Sequence, residues 1–295
     1  MLKIEDLAEL VERHRGAARA RVREFRIGER AFEFNSRPAL MGVINLSADS
    51  WYRESVCLTV ASAVQRGRTL REQGAELVDV GAESTLAHAA RLDAEHQKSK
   101  LLPVVQGLRD AGILVSAETY HTSVARACLE SGANVLNLTG REAAEEVFRM
   151  VAAHGAAVIL CYVQGRNVRD VENFNLEADP IALMKDYFAR QIEKAVHLGV
   201  ERIFIDPGLG FYYPNLQDSA VRVRHQINVF LNTFRLRELG YPVCHALPHA
   251  FECFREEVRC AEPLFAVLAS LGKTDLFRTH EVPRVRAVLE TLSVF

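Results

Sequence analysis

From residue 39 to the C-terminus, short apolar runs alternate with longer stretches that mix apolar and polar residues. The runs are "ALMGVIN" (39–45), "ELVDV" (76–80), "ILVSAE" (113–118), "NVLNL" (134–138), "AAVILCY" (156–162), "RIFID" (202–206), "PVCHAL" (242–247) and "DLFRT" (275–279). A strand covered by helices on both faces reads as a continuous apolar run. Between the runs, "CLTVASAVQRGRTLREQG" (57–74) and "DPIALMKDYFARQIEKAVHLG" (179–199) carry apolar residues at i, i+3, i+4 spacing and end on glycine, which predicts helices. About eight strand–helix units predict an α/β fold, a (β/α)8 TIM barrel of ordinary size. An open doubly wound sheet is the alternative, but no G-x-G-x-x-G turn follows the first run to favour dinucleotide binding. Ahead of the barrel, an N-terminal helix is followed by "EFRIGERAFEFN", whose alternation around Gly28 predicts a small hairpin. The chain thus divides into residues 1–36, helix and hairpin, and residues 37–295, the barrel.

Composition changes this picture only by exclusion. With 295 residues, 49% of them hydrophobic, the chain is long enough for a sizeable core. A formal net charge of −2 gives no electrostatic case for nucleic acid or a membrane surface. The local exception is the basic stretch "RHRGAARARVREFR" (13–26), a solvated helix face or a contact for an anion or partner. Six cysteines are scattered without a C-x-x-C pair, which suits a reducing cytoplasm and is no zinc pattern. The N-terminal "MLKIEDLAELVERHR" is charged throughout, unlike a signal peptide, and no run approaches the roughly 18 residues of a membrane span. A cytoplasmic location is expected.

The chemistry gathers where the runs end, the rim on which barrels of this kind build their sites. Those positions hold Asn45, Asp49, Asp79, Glu83, Glu118, Asn137, Tyr162, Asp206, His249, Arg278 and His280. Each alone reads equally well as a cap or loop hydrogen bond, but polar groups gathered on one rim form a binding cup. Asp79, close to a strand interior, is the candidate for a structural role. Asp206 stands out because it ends an apolar strand and runs into a tight Pro-Gly-x-Gly loop, where a carboxylate is costly unless it has partners.

These residues also lie in recognisable phrases. "LMGVINLSADSW" (40–51), "VDVGAEST" (78–85), "SAETYHTSVARACLESGANVLNLTG" (116–140), "FIDPGLGF" (204–211) and "FRTHEV" (277–282) resemble, in order and spacing, the motifs of dihydropteroate synthases, the pterin-binding family of (β/α)8 barrels. The resemblance runs from about residue 25 to the C-terminus. It implies a transferase that joins a pterin-methyl pyrophosphate to an arylamine with release of pyrophosphate. By that resemblance Asp206 accepts hydrogen bonds from the amino-pyrimidine edge of the pterin, and Asn137 is a second contact to the ring. Asn45 is a ligand for magnesium or pyrophosphate, and Arg278 and His280 are anion donors. Asp49 belongs to the first mobile loop, and Gly210 and Phe211 border the ring. A Mg2+ ion, no organic cofactor and a homodimer are implied in the same way.

Several positions depart from the family pattern. The Ser-Arg-Lys triplet after the seventh strand is replaced by Pro248, His249 and Ala250, and Thr-Arg in the second loop by Thr85-Leu86. The aspartate of the third strand is Glu118, that of the fourth is Leu138, and the usual Met-His of the fifth is Cys161-Tyr162. His249 is shorter than the lysine and mostly neutral near pH 7. Trp51 stands for the first-loop phenylalanine, either over a flat ligand or buried in the fold, with Tyr52 and Arg53 behind it. Charge-assisted hydrogen bonds contribute roughly 1.5–3 kcal/mol each, so losing two cations matters to a pyrophosphate-releasing enzyme. Two alternatives therefore stand beside the synthase-like enzyme, which suits an altered amine in a folate-analogue pathway. One is a non-catalytic pterin-binding homologue or partner subunit. The other is a methyl-pterin methyltransferase whose partner brings the corrinoid.

Overall fold

Eight parallel strands carry the apolar runs: β1 (Ala39–Asn45), β2 (Leu77–Gly81), β3 (Val115–Thr119), β4 (Val135–Leu138), β5 (Ala157–Cys161), β6 (Arg202–Asp206), β7 (Cys244–Ala246) and β8 (Leu276–Thr279). The computed structural model describes residues 2–50, 52–84, 89–141, 144–171, 176, 179–211, 216 and 218–295, except the side chain at 171. Neighbouring strands pair in the order β6-β5-β4-β3-β2-β1-β8-β7. The circle is joined by a parallel bridge between Ile205 and Val243, where Ile205 N donates to Pro242 O at 3.1 Å. This is the nearly closed barrel that the pattern predicts, and the open sheet is set aside.

Helices follow the strands on the outside: α1 (Val60–Glu72), α2 (Ala94–Asp110), α3 (Thr122–Glu130), α4 (Ala144–Ala153), α5 (Pro180–His197), α6 (Ser219–Leu236), α7 (Ala261–Leu271) and α8 (Val282–Leu292). Their starts follow local chemistry. Thr59 accepts from Ser62 N, and Asp179 accepts from Ile181 N at 3.2 Å with Pro180 in the first turn. Such caps satisfy amides that a helix start leaves free.

Apolar packing forms two layers. Outside the sheet, strand residues such as Ile44, Val80 and Leu136 meet the helices. Inside, Met41, Leu77, Val135, Ile159, Phe204 and Leu276 pack with the hairpin Phe25–Ile27/Arg30–Phe32. Phe25 and Phe34 set their edges on Phe204, with centroids 5.1 and 5.5 Å away. The hairpin therefore plugs the end where the strands begin, and polar chemistry is confined to the other end. No helix among the described residues is long and apolar enough to cross a membrane.

Register sets the rim. Asn45 lies opposite Gly81, Gly81 opposite Glu118, and Glu118 opposite Asn137. Three of these four strands thus deliver a polar residue at one level, with Gly81 leaving room between Asn45 and Glu118. The loop after β6 turns on Gly208, whose φ of +76° is a conformation that disfavours L side chains. A Cβ there would also run into the Tyr162 carbonyl oxygen. Gly208→Ala is expected to lower stability by at least the ~1–2 kcal/mol of a left-handed residue, measurable by urea unfolding; a change within ~0.3 kcal/mol would show that the loop relaxes freely.

Candidate functional site

The rim encloses a cavity of about 330 Å³, bordered by Asn45, Glu83, Glu118, Asn137, Cys161, Asp206, Gly210, Phe211, His249, Arg278 and His280. Most of the sequence candidates thus meet in one place. Asp49 does not border the cavity: it is exposed on the loop after β1, where Oδ2 accepts from Ala90 N at 3.0 Å and ties the first loop to the second. Tyr162 is likewise turned away. It is buried, packs edge-on against Tyr187 at 5.1 Å, and accepts from Gln164 Nε2 at 3.0 Å. Trp51 and the Thr85-Leu86 pair lie outside the described residues. Arg53 is exposed and donates to Ala48 O at 2.9 Å, as a solvated loop arginine does.

The floor is a buried charge network. Asp79, fully buried, accepts from Ser116 Oγ at 2.6 Å, Asn137 Nδ2 at 3.1 Å and Arg278 Nε at 2.7 Å. Its structural reading fits this geometry: it holds Asn137 and Arg278 from beneath. Arg278 Nη2 also donates to Glu118 at 2.7 Å. The expected anion donor is therefore already engaged by two carboxylates. Burial opposes its charge, but Asp79 and Glu118 more than compensate and raise its pKa further.

Asp206 lies at the end of β6, where Oδ1 accepts from Gly208 N at 2.8 Å. Burial pushes its pKa up to about 6, against the opposing pull of the Gly208 amide and Arg278. Glu118 rises to about 7 from burial and the neighbouring Asp79 and Asp206, with Arg278 pulling the other way. Desolvation dominates at both. A flat ligand offering N–H donors would supply what Asp206 lacks. Gly210 brings the loop close to β7, since a Cβ on it would stand 2.9 Å from that of Ala246. Asn45 donates from Nδ2 to Ser55 Oγ at 2.6 Å, which commits its amide nitrogen and not its oxygen.

A second cluster centres on Glu262, fully buried in the first turn of α7. It accepts from Thr279 Oγ1, from Glu281 N at 3.1 Å and from His280 Nδ1 at 2.8 Å. Burial raises its pKa, but the hydrogen bond and charge of His280, with His249 and Thr279, outweigh that and hold the carboxyl below its usual range. His249 is lowered to about 3 by burial, despite Glu262, and is neutral near pH 7. Tyr52 stacks on His280 at 4.6 Å and donates to Glu281, which also takes Arg259.

The sequence reading missed Glu262, Arg169 and Arg222. Glu262, ahead of a proline in "AEPLF", looks like a solvated first-turn acid. Arg169 pairs with Glu83 at 2.8 Å and donates to Ser84 O and Ala89 O at 3.0 and 2.6 Å, clamping the second loop. Arg222 borders the cavity and binds Glu252 at 2.6 Å. Neither arginine sits in a motif that sequence spacing singles out.

Residues 41–247 match the family described as pterin binding enzyme. The chain belongs to this family. A Synechocystis relative named dihydropteroate synthase is 28% identical over 221 residues, covering 74% of this chain and 73% of the relative. One from Streptococcus pyogenes, with the same name, is 30% identical over 222 residues, covering 74% and 77%. The solved dihydropteroate synthase of Xanthomonas albilineans, bound to 4-aminobenzoic acid, superposes with a TM-score of 0.76. It is 26% identical and covers 92% of this chain and 97% of that one. After β7 this chain has Pro248, His249 and Ala250. Ala250 there is buried, in a left-handed conformation with φ of 43°.

Proposed function

We propose that the protein is a dihydropteroate synthase-like transferase, joining a pterin-methyl pyrophosphate to an arylamine with release of pyrophosphate. The observation that carries this reading is Asp206: a buried carboxylate bordering the same cavity as Asn137, short of hydrogen-bond donors and leading into a glycine turn. The amino-pyrimidine edge of a pterin offers adjacent N–H donors that match it. Asn137, fixed by Asp79, is the second ring contact. Gly210 and Phe211 border the ring. Glu118, drawn to Arg278, sets how much of that cation is left for the substrate. His280 and His249 face the departing phosphates.

The residues present fit a magnesium ion carried in with the substrate. Asn45 Oδ1 supplies one oxygen, and Mg2+ characteristically keeps water and takes the rest from substrate phosphates. When bound, the ion would neutralise charge growing on pyrophosphate. Incubating the protein with Mg2+, pterin-methyl pyrophosphate and 4-aminobenzoate or other arylamines should release pyrophosphate, read by a coupled phosphate assay. Silence with every amine would sink the enzymatic reading.

A second reading, a pterin-binding homologue without turnover, is favoured by one feature. Arg278 and Arg222 are each paired to carboxylates in the cavity wall. Calorimetry would then record pterin binding alongside that silence. Pterin binding that failed in both assays would remove both readings.

A further inference from the structure

His249, Glu262 and His280 come from three separate places: the segment after β7, the first turn of α7 and the residue following β8. One ligating atom of each lies within 4.8 Å of the other two. His280 Nδ1 is 2.8 Å and His249 Nδ1 3.6 Å from the same oxygen, Glu262 Oε1. Bonds of about 2.0–2.2 Å to a tetrahedral ion put its ligand atoms roughly 3.3 Å apart. The two contacts to Glu262 Oε1 bracket that value, and the two imidazole atoms lie within 4.8 Å of each other.

The carboxylate is oriented for this arrangement. Glu262 Oε2 is taken up by Thr279 Oγ1, His280 N at 3.0 Å and Glu281 N at 3.1 Å, which turns Oε1 to the two imidazoles. The imidazole rings are 5.2 Å apart and inclined at 55°, so they converge rather than stack. Tyr52 stacks on His280 at 4.6 Å, lies 5.6 Å from His249 and is itself tied to Glu281, which fixes the His280 ring. Held partners behind ligands are how proteins set a metal's geometry.

We propose that His249, Glu262 and His280 bind a divalent transition metal, Zn2+ being the type ion, and leave an open coordination position toward the cavity. Two imidazoles and one carboxylate form the donor set of open zinc sites. Imidazole nitrogens do not suit Mg2+, which demands oxygen, so this site is separate from Asn45. Both histidines border the cavity. The metal therefore puts a cation where Pro248, His249 and Ala250 leave none. On binding it displaces the proton between His280 Nδ1 and Glu262 and widens that contact by about half an ångström. Use of this charge by a phosphorylated substrate rests on the transferase reading; metal binding does not.

The test uses the full chain, stripped with a chelator and titrated with Co2+ followed by visible absorption. One equivalent should bind with the bands of a tetrahedral or five-coordinate ion, be displaced by Zn2+, and ignore excess Mg2+. His249→Ala and His280→Ala should each weaken Co2+ binding beyond the roughly 10–100-fold that loss of a mere supporting partner costs. Far-UV circular dichroism of both variants should match the native protein. Because Glu262 is fully buried, the variant His249→Ala, in the loop after β7, is the deciding one. No saturable Co2+ or Zn2+ binding by the native chain, or unchanged affinity in both histidine variants, overturns the site. Pyrophosphate release is measured in parallel. Metal binding without release keeps the site and counts against the transferase; release without metal binding does the reverse.

Discussion

Asp206→Asn is expected to lose pterin affinity by at least ~100-fold while becoming more stable at pH 8. The loss follows from charge. An ionised carboxylate accepting two N–H groups makes two charge-assisted hydrogen bonds of about 1.5–3 kcal/mol each. An amide offers one acceptor and sets an N–H against the ring's own donors. The gain follows from burial. Asp206 has a folded pKa of about 6 against 3.8 for an unperturbed carboxyl, so the folded state holds its proton more tightly than the unfolded chain. Stability contributed by this group therefore falls as pH rises from about 4 to about 6, and the full penalty applies above that. Two units correspond to at most about 3 kcal/mol. Asparagine carries no such penalty and can still accept from Gly208 N. Melting curves at pH 4.5 and 8 should show the variant's advantage only at the higher pH, a few degrees at about 2–4 °C per kcal/mol. Calorimetry with a pterin measures the affinity. A destabilised variant at pH 8, or one binding as well as the native protein, contradicts the assignment of Asp206. In the native protein the same titration predicts pterin affinity rising with pH through about 6, as the free carboxyl ionises.

The barrel was legible because its strands are covered on both faces. "AAVILCY" and "RIFID" have no polar face to disguise them, and their helices carry unmistakable spacing and caps. The rim was legible for the same reason: a polar residue ending an apolar strand has only one direction to go. Legibility failed where side chains turn back or meet across the sequence. Tyr162 follows directly on a strand yet packs into the core, because its ring finds Tyr187 there. Asp49 sits in a motif yet serves the adjacent loop. Glu262 has no strand beside it to betray it, and only folding brings it under His280. The motifs placed Arg278 at the site but not its employment. That Asp79 and Glu118 both claim it follows from the β2–β3–β8 arrangement, which a linear reading does not contain.

That employment yields the second large effect. Arg278→Met is expected to cost about 3–5 kcal/mol of stability, because it leaves Asp79 and Glu118 buried without their cation. The cost should depend on pH with a definite sign. Glu118 already stands at about 7 with the guanidinium pulling its pKa down, so removing that group raises it further. An acid whose folded pKa is raised costs stability as pH rises from its unfolded value through its folded one. The variant's deficit is thus largest at pH 8 and shrinks toward pH 5, where Glu118 takes up its proton. Adding Glu118→Gln should recover part of the loss at pH 8 and little at pH 5, since it removes the charge that the lost arginine had compensated. Urea unfolding of the single and double variants at both pH values measures this. A loss below about 1 kcal/mol, or one equal at both pH values, would mean that water reaches these carboxylates. The arginine would then be free to serve a departing phosphate rather than spent on holding the cavity floor together. Turnover separates the two uses. If the double variant regains stability but not pyrophosphate release, Arg278 acts on the substrate as well as on its neighbours.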